Sequence, residues 1–281
     1  MSAAKTSWFT RSTLLLGFAF LYLPMLILIV YSFNENRLVT VWSGFSLKWY
    51  GELFRDKQMI DAAKVSLEIA FMTACASVVL GTMAAMVMTR FRQFPGKSLF
   101  SALMTAPLVM PEVITGLSIL LLFVAMGQTF GLFEERGVMT IWIAHVTFCV
   151  AFVTVVISSR LSELDRSLEE AAMDLGANRV KVFFLITLPI IAPALASGWL
   201  LAFTLSLDDL VISSFVSGPS STTLPMKVFS SVRMGVSPKI NALATLLIGI
   251  VGVAAFIGWW MMAREEKQRQ RDMQLALQQG G

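Results

Sequence analysis

The sequence predicts an all-α polytopic membrane protein with six transmembrane helices. Three observations predict it. Hydrophobic residues make up 56% of the chain and charged residues only 14%, whereas a soluble domain carries roughly a quarter charged residues. The apolar residues gather into six runs of the length that crosses a bilayer, for which about 20 residues suffice. Between the fourth and fifth runs lies a polar stretch, SLEEAAMDLGANRVKVFFLITLP (167–189), which carries its own helix start and stop signals.

In chain order, the first helix is expected over about 12–33. Lys5 and Arg11 before it imitate a signal peptide. The apolar run 13–30 is too long for an ordinary signal core and lacks a small-x-small cleavage site, so it reads as a retained helix. Pro24 is a tolerable kink, because a freed carbonyl in a membrane bundle can find another partner. The loop 34–61 carries Trp42, Trp49 and Tyr50, residue types that favour the membrane–water interface. A second helix is expected over 63–89, with Glu68 interfacial near its outer end. RFRQFPGK (90–97) is then a short cationic turn. The third helix, 98–126, is interrupted by Pro107 and Pro111, and the fourth spans 138–158. A polar loop, 160–184, leads to the fifth helix at 182–207. Residues 208–239, with Ser-Gly-Pro-Ser-Ser-Thr-Thr, are too many for a hairpin and are expected to re-enter the membrane or lie on it. The sixth helix, 240–262, ends in a polar tail, 263–281.

Six crossings place both termini on one side. Assigning that side to the cytoplasm gives it Lys5, Arg11, Arg90, Arg92, Lys97, Arg160, Arg166, Arg179, Lys181, Arg264, Lys267, Arg269 and Arg271. That is more than half of the 22 lysines and arginines, as the positive-inside rule requires.

Enzymatic classes are poorly supported. There is no G-x-x-x-x-G-K-[ST] phosphate loop, no H-E-x-x-H and no G-x-S-x-G, so no catalytic residue, metal site or cofactor is expected and ATP has no usual seat. His145 is alone among apolar neighbours and reads as a packed or hydrogen-bonded core residue. Cys75 and Cys149 sit in apolar runs as small packing residues. The net charge of +4 comes from scattered cations, which gives no reason to expect nucleic acid as a partner. Transport is the better class.

The polar stretch supplies the mechanism. Ser167 and Glu170 have capping-box spacing, Gly176 suits a left-handed helix end, and Asn178 can cap a second helix. Glu170-Ala171-Ala172, three residues, Gly176, nine residues, then Ile186-x-Leu188-Pro189 resembles the EAA motif of the membrane subunits of bacterial ABC importers. The segments APLVMPEVITGLSILLLF, SSRLSELDRSLEEAAMDLGA and LAFTLSLDDLVISSFVSGP extend the likeness over nearly the whole chain. They look like the polyamine branch of these permeases, the putrescine type first and the spermidine type next. The resemblance implies a single permease domain of the type I ABC importer fold, multi-pass in a bacterial inner membrane. It also implies a second, similar permease, two cytoplasmic ATPase subunits, an extracytoplasmic polyamine-binding protein and membrane lipid as partners. Glu170, Ala171, Ala172, Gly176, Ile186, Leu188 and Pro189 would then couple the chain to the ATPase.

Substrate recognition is expected elsewhere, at the acids of the apolar runs, since a charge inside a bilayer is a functional candidate by default. Glu112 lies near the middle of the third helix, about 15 residues or roughly 22 Å beyond Lys97 at the helical rise. Pro107 and Pro111 deprive the carbonyls of Leu103 and Pro107 of their helical donors. A carboxylate beside freed carbonyls suits an ammonium group, which has three donors and no acceptor. A buried neutral acid, or one paired across a subunit contact, is the other reading of Glu112. Asp208 and Asp209 end the fifth helix, where one can face the path while the other caps or binds the loop. Alternatively both are solvated loop residues. No lysine or arginine sits in the middle of an apolar run, which fits a polycation better than an oxyanion. Trp142, Trp199 and Phe203 read as packing or interface aromatics and stay outside the proposed path.

Overall fold

The computed structural model describes residues 8–38, 41–91, 93–235 and 237–279. Lys5 and Arg92, two of the cations assigned to the cytoplasmic side, lie outside the described residues, as do the last two residues of the expected tail. Among the described residues, six helices are long and apolar enough to cross a membrane: Trp8–Ser32, Lys57–Arg90, Glu112–Phe130, Val138–Glu163, Arg179–Asp208 and Pro238–Gly258. The chain packs as two compact units, one drawn from its two ends (up to Lys57 and from Ser231 onward) and the other Gln58–Ser230.

In the unit made of the chain ends, α1 (Trp8–Ser32) is apolar on every side, runs through Pro24 and buries only Ser32. Such a surface is stable in lipid, because a helix satisfies its own backbone. It packs along α12 (Pro238–Gln279), which also holds the short α2 (Lys48–Arg55). The turn after α1 is fixed by buried Asn34. Its amide donates to the Val41 carbonyl at 2.7 Å and its side-chain oxygen accepts from the Ser43 amide at 3.0 Å. Trp49 is buried, its indole N–H donating to the Asn34 carbonyl at 2.7 Å. A buried tryptophan ring usually finds a partner for its N–H in this way. Lys239 meets Asp56 at 3.0 Å and ties α12 to the end of α2. Beyond residue 262 the backbone stays helical to Gln279, since no Gly or Pro occurs between Gly258 and Gly280 and strong helix formers fill the stretch.

The Gln58–Ser230 unit is built around α6 (Val138–Glu163), the most buried of the spans. Around it stand α3 (Lys57–Arg90), α4 (Lys97–Val109), α5 (Glu112–Phe130) and α9 (Leu188–Asp208). Ile141, Ala144, Phe148, Cys149, Val153, Ile157 and Leu161 form the α6 part of the core. Helices in lipid gain little from apolar burial against one another and associate by close packing of small residues. Val153 shows this well. A Cβ on Gly81 of α3 would lie 2.8 Å from Val153 Cγ1, and one on Gly198 of α9 would lie 3.3 Å from the same atom. Gly81→Ala should therefore lower stability by about 1–3 kcal/mol, the usual cost of overpacking. Gly249→Ala, with nothing within 4 Å of the new methyl, should not. Thermal unfolding of the two variants in detergent would check the contrast.

Two expected elements take a more specific form. The third helix is two, because Met110, restricted by the following proline, is extended (ψ 137°) and ends α4, while Pro111 (ψ 135°) precedes α5. Pro107 stays inside α4. The segment after the fifth helix folds into α10 (Val211–Val216), packed on α5 and α6, and α11 (Leu224–Arg233). The Leu224 amide donates to Ser66 of α3 at 2.7 Å and anchors the start of α11.

Candidate functional site

The first candidate site is the corner where α9 gives way to α10. Asp208 is the last residue of α9, and Asp209, with extended backbone (ψ 124°), turns the chain. The Asp209 carboxylate accepts from the amides of Ile212 at 3.2 Å and Ser213 at 2.7 Å. It thereby satisfies amide donors at the start of α10 that would otherwise be orphans. His145, from the middle of α6, completes the corner. Its Nε2 lies 3.1 Å from Asp209 Oδ2 and 3.0 Å from Ser213 Oγ, while Nδ1 lies 2.7 Å from Ser206 Oγ. With the proton on Nε2, the ring donates to the carboxylate and accepts from the Ser206 hydroxyl. The His145 and Asp209 side chains are 2% and 6% exposed, so this is an interior pair and not a surface one.

Glu112 comes to the same corner. The break at Pro111 makes it the first residue of α5 and removes it from the middle of a longer helix, where sequence spacing had put it. A carboxylate there also meets the positive end of the helix dipole. One turn on, Gly116 lies against Phe215 and Ile212 of α10, which sets the first turn of α5 beside the Asp208–Asp209 turn. Both aspartates are within electrostatic reach of Glu112. The structure therefore brings together the three acids singled out in the sequence and divides their work. Asp209 is engaged by three N–H donors, while Asp208 and Glu112 are exposed on this chain. Among the described residues, no lysine or arginine forms an ion pair with either. Trp199 and Phe203 stack on each other at 5.2 Å, with Phe71 edge-on to Trp199.

The second candidate site lies about 24 Å away along α6, taking the 16 residues from His145 to Leu161 at 1.5 Å each. Here α7 (Arg166–Asp174) and α8 (Arg179–Val182) form the expected helix pair. The capping residue of α7 is Asp165, not Ser167: its carboxylate accepts from the Ser167 amide at 2.9 Å. A charged acceptor two residues earlier outcompetes the hydroxyl and starts the helix sooner. The Ser167 amide, with its hydroxyl second, also holds the Asp165 carboxyl below the ordinary aspartate range. Gly176 has φ +87°, and the amides of Gly176 and Ala177 return to the carbonyls of Met173 and Ala172 at 2.9 and 3.0 Å. Those two bonds make a Schellman ending. Asn178 caps α8 by accepting from the Lys181 amide at 2.8 Å.

Between α8 and α9 the chain makes a π-helical turn, Phe183–Thr187, closed by the Leu188 amide on the Phe183 carbonyl. Pro189 follows directly and has no N–H for a tighter ladder, so the I-x-L-P end of the motif coincides with a widened turn. Glu170 and Ala171 are exposed, while Ala172, Ile186 and Leu188 are partly covered. Leu175 beside the turn is 90% exposed and Leu185 74%, more apolar surface than a polar helix end would show without a partner. A cleft of about 520 Å³ opens here, lined by Arg90, Arg166, Glu169, Glu170 and Arg179 among others. Sequence reasoning missed Arg90, Glu169 and Thr187, which meet in this cleft, and missed the pairing of His145 with Asp209.

Residues 77–268 match the family model for binding-protein-dependent transport system inner membrane components. The chain is 66% identical over 263 residues to the putrescine transport system permease protein PotI of Escherichia coli strain K12, covering 94% of each. It is 44% identical over 231 residues to the spermidine/putrescine transport system permease protein PotC of Haemophilus influenzae, covering 82% of this chain and 87% of that one. In fold it is similar to a chain of a bacterial ABC transporter that imports the acidic polysaccharide alginate. The TM-score is 0.69 at 16% identity, covering 92% of this chain and 96% of that one.

Proposed function

We propose, from the premise that this chain belongs to the family of binding-protein-dependent transport inner-membrane components, that it forms half of the translocation path of an ATP-driven polyamine importer, with putrescine the first substrate. The reading is carried by the acid corner. Glu112 opens α5 and Asp208 ends α9, next to the contact of Gly116 with α10; both are exposed on the single chain and neither has a cationic partner among the described residues. An ammonium group brings three donors, which two carboxylates and nearby carbonyls can accept as charge-assisted bonds. Asp209, held by His145 and the start of α10, keeps the corner in shape. The 66% identity to a putrescine permease over 94% of the chain supports the substrate class.

The partners follow from the same reading. A second, similar permease closes the open side of the path, and an extracytoplasmic polyamine-binding protein delivers the substrate. One of two cytoplasmic ATPase subunits seats on the helix pair at Glu170, Ala171, Ala172, Gly176, Ile186, Leu188 and Pro189. The α7–α8 end and both termini face the cytoplasm of a bacterial inner membrane. ATP binding draws the ATPases together and shifts the helix pair, which re-tilts the membrane helices and turns the acid corner from one side to the other. This chain itself breaks no bond.

The test is uptake of labelled putrescine by the assembled transporter carrying Glu112→Gln or Asp208→Asn. Each should lose about 10- to 100-fold in uptake efficiency, the range expected for one charge-assisted hydrogen bond. Competition with unlabelled spermidine ranks the two polyamines. Undiminished uptake by both variants would remove the acids from the path.

A further inference from the structure

Glu169 and Glu170 are neighbours on α7 but face different ways. Glu170 is the motif glutamate and is exposed, whereas the Glu169 side chain is only 15% exposed and lies outside the motif. One oxygen of Glu169 accepts from Arg90 Nη2 at 2.8 Å and also from the Thr187 hydroxyl at 2.8 Å. Arg90 is the last residue of α3, and its other terminal nitrogen donates to the Leu161 carbonyl of α6 at 3.3 Å. Thr187, 1% exposed, closes the π turn directly ahead of α9. A single carboxylate oxygen thus ties the coupling helix to three membrane helices.

From this geometry we infer that Glu169 is the positioning residue through which displacement of α7 reaches the membrane helices, with Arg90 and Thr187 as its two grips. The inference rests on reading this chain as a permease driven by a separate ATPase. Apolar packing cannot carry the load, because α7 buries none of its residues. What holds it to the unit is polar: the Glu169 clamp, and Arg166 donating to the Thr89 carbonyl at 2.6 Å. The Arg90 and Glu169 side chains are 14% and 15% exposed, so the pair is largely shielded from water. A shielded pair resists separation, since parting it strands a charge. The π turn beneath Thr187 supplies compliance, as such turns interrupt regular helices at moving places. Pulling α7 then moves the ends of α3 and α6 through Arg90 and the start of α9 through Thr187.

The experiment uses the complete transporter, with both permeases, the ATPase and the binding protein, in proteoliposomes. Putrescine uptake and ATP hydrolysis are measured together. Glu169→Gln should leave ATPase copurification and hydrolysis near wild type while uptake per ATP falls about tenfold, the factor given by 1.4 kcal/mol of lost coupling. Combining Arg90→Glu with Glu169→Arg should recover part of that ratio, because the exchanged charges meet again. If Glu169→Gln prevents assembly, Thr187→Val tests the same clamp more gently and should lower uptake per ATP about threefold. Variants that assemble and keep the wild-type ratio, or lose uptake and hydrolysis in proportion, overturn the clamp alone. A wild-type transporter that accumulates no putrescine with ATP overturns the functional reading as well.

Discussion

His145→Ala is expected to cost about 1–3 kcal/mol of stability, the range for leaving a buried polar group short of a partner. The Asp209 carboxylate would lose its Nε2 donor at 3.1 Å while staying 6% exposed. Its two amide donors in α10 remain, which holds the effect toward the lower end of that range. Asp209→Asn should cost less, because a neutral amide can still accept from the α10 start. The double variant decides whether the residues act together. Unfolding in detergent should show the two losses failing to add by about 0.5–3 kcal/mol, as for residues in direct contact. Strict additivity would mean that His145 merely fills space. Uptake should fall with stability here, unlike Glu112→Gln and Asp208→Asn, which leave the corner folded.

Gly176→Val should abolish coupling while leaving membrane insertion intact. The backbone at Gly176 has φ +87°, and an added Cβ would have nothing within 4 Å. The cost is therefore conformational and not steric crowding from neighbours. A left-handed residue with a side chain costs roughly 1–2 kcal/mol, and β-branched valine is among the worst choices. The chain would escape by leaving that conformation, breaking the two bonds that close α7 and swinging α8 away. The proposed ATPase seat at Glu170, Ala171 and Ala172, beside the exposed Leu175, would lose its shape. ATPase copurification and putrescine uptake should then fail together. Gly176→Asn is the discriminating control, since asparagine tolerates the left-handed region and should keep most of both. Normal transport by Gly176→Val would show that the turn is not needed.

Much of this was readable in the chain because it is local. The break at Pro111, the left-handed Gly176 and the cap at Asn178 depend on residues within a few positions of one another. The fold class followed from composition and run length. What escaped was decided by helices meeting at long sequence separation. His145 pairs with Asp209 across 64 positions and Arg90 with Glu169 across 79. Nothing near either residue announces its partner. Lipid makes this worse: a helix that is apolar on all sides, such as α1, carries no stripe to say which face meets protein. Periodicity therefore finds the spans and is silent on their packing. Asp165 was overlooked for a different reason. Ser167 and Glu170 had the right spacing for a cap, but an aspartate two residues earlier is the stronger acceptor.

A side chain added at Gly81 or at Gly198 would crowd Val153, which stands eight residues from His145 and eight from Leu161 on the same helix. Those two arms are each about 12 Å long at the helical rise. This close packing on α6 thus sits midway between the acid corner and the carbonyl that receives Arg90. A tilt of about 10° about that point carries each end roughly 2 Å, in opposite directions and by equal amounts.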